Sequence, residues 1–324
     1  MNTNILKQKI QMKAIILEKA GSVENLVMQE IAQPTIKANQ VLVEVKAISV
    51  NPVDYKLRSS EDVIRILYGS KRPIILGWDI AGIVAAIGNE VSQFAIGDRV
   101  FGMINFPGAG DAYAEYVAAS ESHLAKIPTN VSFEEAAATT LAALTALQVL
   151  QGKVKKNDRV LIQAGSGGVG HYAIQIAKSM GAYVITTSSA KNRDFVMSLG
   201  ADEHIDYRTQ KFDEVLSNID FVLDSMGYDV LLDTIKVMKD GGQIVSLAIF
   251  DVAADLKEAA DKKDVTVLPF MVQSNGVDMN TLKALLESGA VKAHISKTFA
   301  FSEMAAAHLE LESGRTVGKI VVNI

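Results

Sequence analysis

Residues 164–178 read AGSGGVGHYAIQIAK and set glycines at 165, 167 and 170, the G-x-G-x-x-G spacing, between two segments of different character. RVLIQA before the loop is a short apolar run of strand type, and HYAIQIAKSMGA after it reads as a helix closed by Gly181. At a strand-to-helix turn such glycines allow the tight bend, let the main chain approach a pyrophosphate and let helix pack on strand. The helix N-terminus meanwhile offers unpaired N–H groups to the anion. A glycine-rich turn with no ligand is the plainer alternative. The chain downstream favours the dinucleotide: strand-like runs YVITTS, FVLDSM, QIVSLA and VTVLPF alternate with helical stretches such as KNRDFVMSLG and DVLLDTIKVM. That alternation indicates βαβ units and a parallel sheet covered on both faces. Gly165, Ser166, Gly167, Gly168, Val169 and Gly170 are therefore the expected pyrophosphate loop.

The end of the next strand selects the dinucleotide. An NAD site places an acid about 20 residues beyond the loop, where it accepts from the ribose 2′-OH. Here YVITTSSAKNR ends in Thr, Ser and Lys. A carboxylate would repel a 2′-phosphate, whereas Ser188 and Ser189 can donate hydrogen bonds to one and Lys191 or Arg193 can supply charge. NADPH is the expected cofactor. An exposed helix start is the alternative reading of Lys191 and Arg193.

Around this α/β region the texture differs. MKAIIL, ENLVMQEI, QVLVEVKAIS, DIAGIVAAIG and DRVFGM make the N-terminal third β-rich, with Val41, Val43 and Val45 alternating onto one face. SFEEAAATTLAALTALQVL opens on a Ser132/Glu135 capping box and reads as one apolar helix. The last fifty residues are helical and close on the strand KIVVNI. The expected fold is a doubly wound parallel-sheet domain, residues 128–273, inserted between the parts 1–127 and 274–324 of a β-rich partial barrel. Residues 1–11 are read as an extension. A net charge of −5 and the lack of any long basic run argue against nucleic acid. No apolar leader or membrane-length apolar run occurs, and there is no cysteine, so the default location is the cytoplasm.

Several motifs in order, NPVDYKLR, LGWDIAGIVAAIG, FAIGDRVFGM, AGSGGVGHYAIQIAK, SLGADEHIDYR, VLDSMG, GGQIVSLA and ESGRTVGKIVV, closely resemble the zinc-independent quinone oxidoreductases of the medium-chain dehydrogenase/reductase superfamily. The resemblance covers nearly all of the chain from Met12 on and implies a GroES-like catalytic domain around a Rossmann domain. It implies that Asn51 and Asp54 lie beside the nicotinamide ribose and carboxamide, and that Thr145 faces the carboxamide. Tyr55 and Tyr68 become candidates to line the pocket and hydrogen-bond a carbonyl oxygen; either can equally pack at a domain boundary. Tyr207 matches a position near the 2′-phosphate or adenine. The segments Ser246 to Phe250 and Pro269 to Val272, with Leu247, Phe270 and Val272, are expected to border the nicotinamide. Arg315 and Lys319 could reach the phosphate end, or be plain surface charges. The family also implies a homodimer pairing near DVTVLPF.

Zinc-dependent members of that superfamily carry a Gly-His-Glu segment where this chain has Gly77, Trp78 and Asp79, and a cysteine ligand in the segment that here reads SVNPVD. The five histidines are scattered, so no metal is expected. Without a Lewis acid a simple ketone is a poor substrate. A quinone or an α,β-unsaturated carbonyl accepts hydride to give a delocalised oxyanion that a few hydrogen bonds support. The expected function is hydride transfer from NADPH to such a substrate. The alternatives are an NADPH-binding sensor or scaffold, whose cleft could be filled by side chains such as Trp78 or Met271, and an alcohol dehydrogenase, which would need the metal.

Overall fold

A computed structural model of the chain describes residues 10–324. Residues 1–9 of the expected extension lie outside the described residues. Gln11 already belongs to the strand Gln11–Leu17, so the fold starts one residue earlier than the sequence reading had it. That strand lies between Leu26–Ala32 and Ile74–Ile75 in a three-stranded sheet.

Six parallel strands form the second sheet, in the spatial order Glu203–Asp206, Tyr183–Ser188, Arg159–Ile162, Ile219–Asp224, Met238–Ser246, Thr266–Pro269. The first strand in the chain sits centrally and the order reverses beside it, as in the doubly wound dinucleotide folds, where ligands lie over the strands' carboxyl ends at the reversal. The central strand leads into the glycine loop, and the helix Gly170–Ser179 follows it. Thr266–Pro269 is hydrogen-bonded on one side only, leaving an edge.

The third sheet is organised by the long strand Gln40–Val50. Asp79–Ile87, Tyr116–Ser120 and the C-terminal Lys319–Asn323 all pair with it in antiparallel register. Val41, Val43 and Val45 point into the core, as their alternation requires. Val50 faces Ile320 and Ser49 faces Asp79. Pairing therefore brings the ends of three strands, separated in sequence by up to 270 residues, to one point. That point carries Asn51, Asp79 and Lys319.

The helix expected from Ser132 onward is two helices, Phe133–Ala138 and Leu141–Leu150. The capping box at Ser132 and Glu135 forms as anticipated. The break falls at Thr139 and Thr140, whose hydroxyls donate to the Glu135 and Ala137 carbonyls and so compete with the helical ladder. The break gives the second helix its own N-terminus, and Asp79 Oδ1 accepts the Leu141 N–H there at 3.0 Å.

Candidate active site

The glycine loop opens a cleft of about 580 Å³. Ser166 and Gly167 line it together with Ser188, Ser189, Lys191, Asn192, Tyr207 and Arg315. The loop is fastened from beneath. Gly165 N–H donates to the Thr187 carbonyl at 2.9 Å, Ala164 N–H to Thr187 Oγ1 at 3.2 Å, and Gly318 N–H to the Ser166 carbonyl at 2.9 Å. His171 bonds the Gly167 carbonyl through Nδ1 at 3.0 Å, and burial lowers its pKa to about 4, so it stays neutral and acts as a bracket.

The glycines divide into two kinds. A Cβ on Gly165 would meet Thr186 Oγ1 at 1.8 Å, and one on Gly170 the Ala164 carbonyl oxygen at 2.3 Å. These two are demanded by the protein's own packing. A Cβ on Gly167 would meet only the Ala164 carbonyl, at 3.2 Å, and one on Gly168 nothing nearer than 3.5 Å. Protein packing does not require these two to be glycine. Bare backbone facing free space at a helix N-terminus is what a pyrophosphate needs, so the loop fits a dinucleotide.

Charge in the cleft suits anions. Lys191, Arg208, Lys211 and Arg315 line it, against Asp213 and Asp233, and both acids are engaged by Lys236. Asn192, to which the sequence reading gave no role, reaches from the second strand's end to Ser166 Oγ at 2.9 Å and ties the two halves of the cleft together. Arg193 is not among the lining residues; it lies 3.5 Å from Asp194 on the surface. Tyr207 is mostly exposed beside the cleft.

Beyond the loop lies a cluster almost closed to solvent. Asn51 donates to Asp79 Oδ2 at 2.7 Å and accepts from Lys319 Nζ, which also donates to the Val50 carbonyl at 3.1 Å. Lys319 Nζ stands 4.0 Å from Asp79 Oδ2. Lys319 is 3% exposed, so it is not a surface charge; its stem runs under Gly168. Burial pushes the lysine's pKa down and the Asp79 carboxyl's up, and their mutual attraction opposes both shifts. Asp54 caps the helix Pro52–Ser59 by accepting the Asn51 N–H at 2.7 Å. Its Oδ1 has no partner, and burial, aided by the nearby Asp79 charge, raises its pKa to about 7. Tyr113 and His308, also missed by the sequence reading, pair behind it at 3.0 Å.

The remaining candidates are placed less directly. The Thr145 hydroxyl donates within its own helix, to the Leu141 carbonyl at 2.7 Å. Tyr68 is buried and its hydroxyl donates to the Ile75 carbonyl at 2.8 Å, a structural bond in the first sheet. Tyr55 is partly exposed beside Asp54 on its helix. Leu247 and Phe270 are partly buried against the core, and Val272 is buried. None of these lines the cleft described above. Phe250 is 90% exposed. Trp78 is wholly buried, edge-on to Phe106 at 5.1 Å, with its indole N–H on the Gly108 carbonyl, so it does not fill the cleft.

In the segments that carry ligands in the zinc enzymes, Asn51 and Asp79 bond each other beside the Lys319 ammonium and Trp78 bonds Gly108, a set of side chains that does not fit a zinc ion. Among the described residues no group of three or more His, Cys, Asp or Glu is arranged to hold a metal.

Residues 37–129 match the alcohol dehydrogenase GroES-like domain, and residues 199–322 the family described as zinc-binding dehydrogenase. A 2-methylene-furan-3-one reductase of Solanum lycopersicum is 35% identical over 97% of this chain and 79% of its own length. An NADPH-dependent alkenal/one oxidoreductase of Arabidopsis thaliana is 32% identical over 96% and 79%. The solved structure of a quinone oxidoreductase from Coxiella burnetii superposes with a TM-score of 0.91 at 37% identity, covering 97% of this chain and all of that one. With the parallel sheet and the glycine loop, these similarities show that the chain belongs to the medium-chain dehydrogenase/reductase superfamily, among its quinone oxidoreductase-like members.

Proposed function

We propose that the chain is an NADPH-dependent reductase of quinones or α,β-unsaturated carbonyls. One observation carries the reading: a glycine loop with bare backbone at Gly167 and Gly168 adjoins a cluster in which Asp79, at a would-be metal position, is bonded by Asn51 beside the Lys319 ammonium. The relatives named for alkenal/one, furanone and quinone reduction support it. Bound NADPH supplies the hydride, and solvent supplies the proton that completes reduction. The protein's part is to hold the pyrophosphate on the loop, to receive the 2′-phosphate near Ser188, Ser189 and Lys191, and to orient the nicotinamide ribose with Asn51 and Asp54. Of the two tyrosines, Tyr55 is the one free to meet a substrate oxygen, since the Tyr68 hydroxyl is engaged by Ile75.

A homodimer through the open edge of Thr266–Pro269, where Leu268 and Met271 are exposed, is part of the same proposal, as is cytoplasmic residence. No helix among the described residues is long and apolar enough to cross a membrane. The test is NADPH oxidation with a small quinone and with a conjugated enone. Turnover of either is expected; tight NADPH binding with turnover of neither overturns the reading in favour of a sensor.

A further inference from the structure

Ser188 ends the strand Tyr183–Ser188 at the cleft, and its neighbour Glu203–Asp206 pairs with it in parallel, His204 beside Thr186 and Asp206 beside Ser188. This register sets His204 Nε2 2.9 Å from Ser188 Oγ. Among the described residues the only other bond of that hydroxyl is to the Ser189 carbonyl, at 3.3 Å. His204 is not among the residues lining the cleft; it stands behind the serine.

A serine hydroxyl has one hydrogen to give, and an imidazole nitrogen either gives or takes one. If Nε2 is bare, the serine hydrogen is drawn to it or to the Ser189 carbonyl, and Oγ turns its lone pairs to the cleft. If Nε2 carries a hydrogen, it donates to Oγ and frees the serine hydrogen for a ligand. A ribose 2′-OH both donates and accepts, so it is served by either arrangement. A 2′-phosphate only accepts, so it is served by the second alone.

We propose that His204 is a positioning residue for cofactor choice: by donating to Ser188 Oγ it turns the serine hydroxyl toward the 2′-phosphate. This rests on the reading that Ser188 lies at the adenosine ribose. The imidazolium form donates without choice of tautomer, so phosphate binding and His204 protonation favour each other. Burial holds the free histidine below its ordinary range; a hydrogen bond to the Ser188 backbone and the Asp206 charge favour the cation, Arg193 opposes it, and Lys191 is exposed on the same rim. Preference for the phosphorylated cofactor therefore grows as pH falls through and below the ordinary histidine range.

The test is a set of dissociation constants for NADP⁺ and NAD⁺ between about pH 5 and 8, spanning the ordinary histidine range and the region below it, in the wild type, His204→Gln and His204→Leu. The wild-type ratio of Kd for NAD⁺ to Kd for NADP⁺ is expected to rise roughly tenfold toward low pH, the effect of a one-unit pKa change on binding. Glutamine places an N–H near Nε2 at every pH, so its ratio stays high and flat. Leucine cannot donate, so its ratio stays low and flat. These slopes are relative to one another: the 2′-phosphate's own titration adds the same slope to all three ratios and cancels when they are compared at each pH. If the leucine variant keeps the wild-type ratio and pH slope, His204 does not act through Ser188 and the proposal fails. If the wild type itself shows no preference for NADP⁺ at any pH, the cofactor reading beneath it has failed instead.

Discussion

The outer cleft and the inner cluster are both polar, and they are built on opposite principles. In the cleft, Lys191, Arg208, Lys211 and Arg315 stand along the wall of an open cavity, and Gly167 and Gly168 leave backbone unfilled. In the cluster, Asn51, Asp79 and Lys319 bond to one another with almost no solvent contact, and only Asp54 Oδ1 is left over. The cleft holds its binding capacity open for a ligand. The cluster has closed its capacity internally, so removing any one member leaves another stranded.

The largest effect should follow from that difference. Lys319→Met leaves the Asp79 carboxylate buried opposite no cation, and breaking a buried pair this way costs about 3–5 kcal/mol. Lys191→Met, at the rim, should stay within about 0.5 kcal/mol of wild type. Denaturant midpoints measure both. Adding Asp79→Leu to Lys319→Met should recover part of the loss, because it removes the stranded charge. Equal, small losses for Lys319→Met and Lys191→Met would erase the distinction between the two regions.

Asp54 sharpens the comparison through pH. Its pKa in the folded chain is about 7, against 3.8 in a model peptide, because burial disfavours the carboxylate. The folded state therefore holds the proton more tightly than the unfolded state. The stability this contributes is complete below the unfolded value and is lost as pH rises through about 7. Asp54→Asn keeps an oxygen for the Asn51 N–H and cannot ionise. Between about pH 5 and pH 8 the variant should gain on the wild type by a few kcal/mol at most. Parallel stability curves would show that Asp54 ionises without penalty.

How far each region was legible in the sequence follows from the same contrast. The loop and the end of the second strand lie within thirty residues of one another, and their spacing is set by one βαβ unit, so Gly165–Gly170 and Ser188–Lys191 could be found by pattern. Lys319 meets Asn51 and Asp79 only through the register of Gln40–Val50 with two strands, one of them at the chain's far end. No local period encodes that meeting, and Lys319 in ESGRTVGK reads from sequence as a residue that reaches the phosphate end or as a plain surface charge. Tyr113 and His308 were invisible for the same reason. The helix break at Thr139 and Thr140 had a local signal in its two adjacent threonines, but it matters because of a distant partner, Asp79.

Within the cleft, the glycines separate folding from binding. Gly165→Ala drives a methyl into Thr186 and should destabilise by about 1–3 kcal/mol, the range for overpacking. Gly168→Ala meets no close contact and should leave the melting temperature near wild type while weakening NADPH binding, because its methyl occupies space a pyrophosphate would use. Thermal melts and cofactor titrations on the two variants measure the difference. Unchanged NADPH affinity in Gly168→Ala would mean that the loop does not hold the pyrophosphate.

The smallest change in the fold, and the most specific in binding, is expected from Ser188→Asp. Ser188 is itself buried, 3% exposed, but it lines the cleft and bonds His204, so a carboxylate placed there can take a hydrogen bond from the imidazole. Its stability loss should be far below that of Lys319→Met, where charge is stranded in a sealed cluster. Toward the ligand the effect is sharper, because a carboxylate repels a 2′-phosphate and accepts from a 2′-OH. NADPH affinity should fall roughly tenfold or more, about 1.4 kcal/mol, while NADH affinity holds or improves. Paired titrations with the two cofactors read the outcome. A fall for both cofactors alike would mark Ser188 as part of the scaffold, and no fall for NADPH would move the phosphate site elsewhere along the rim. A fall for NADPH alone would show that the open region discriminates between ligands with groups the fold can spare, which the closed cluster cannot do.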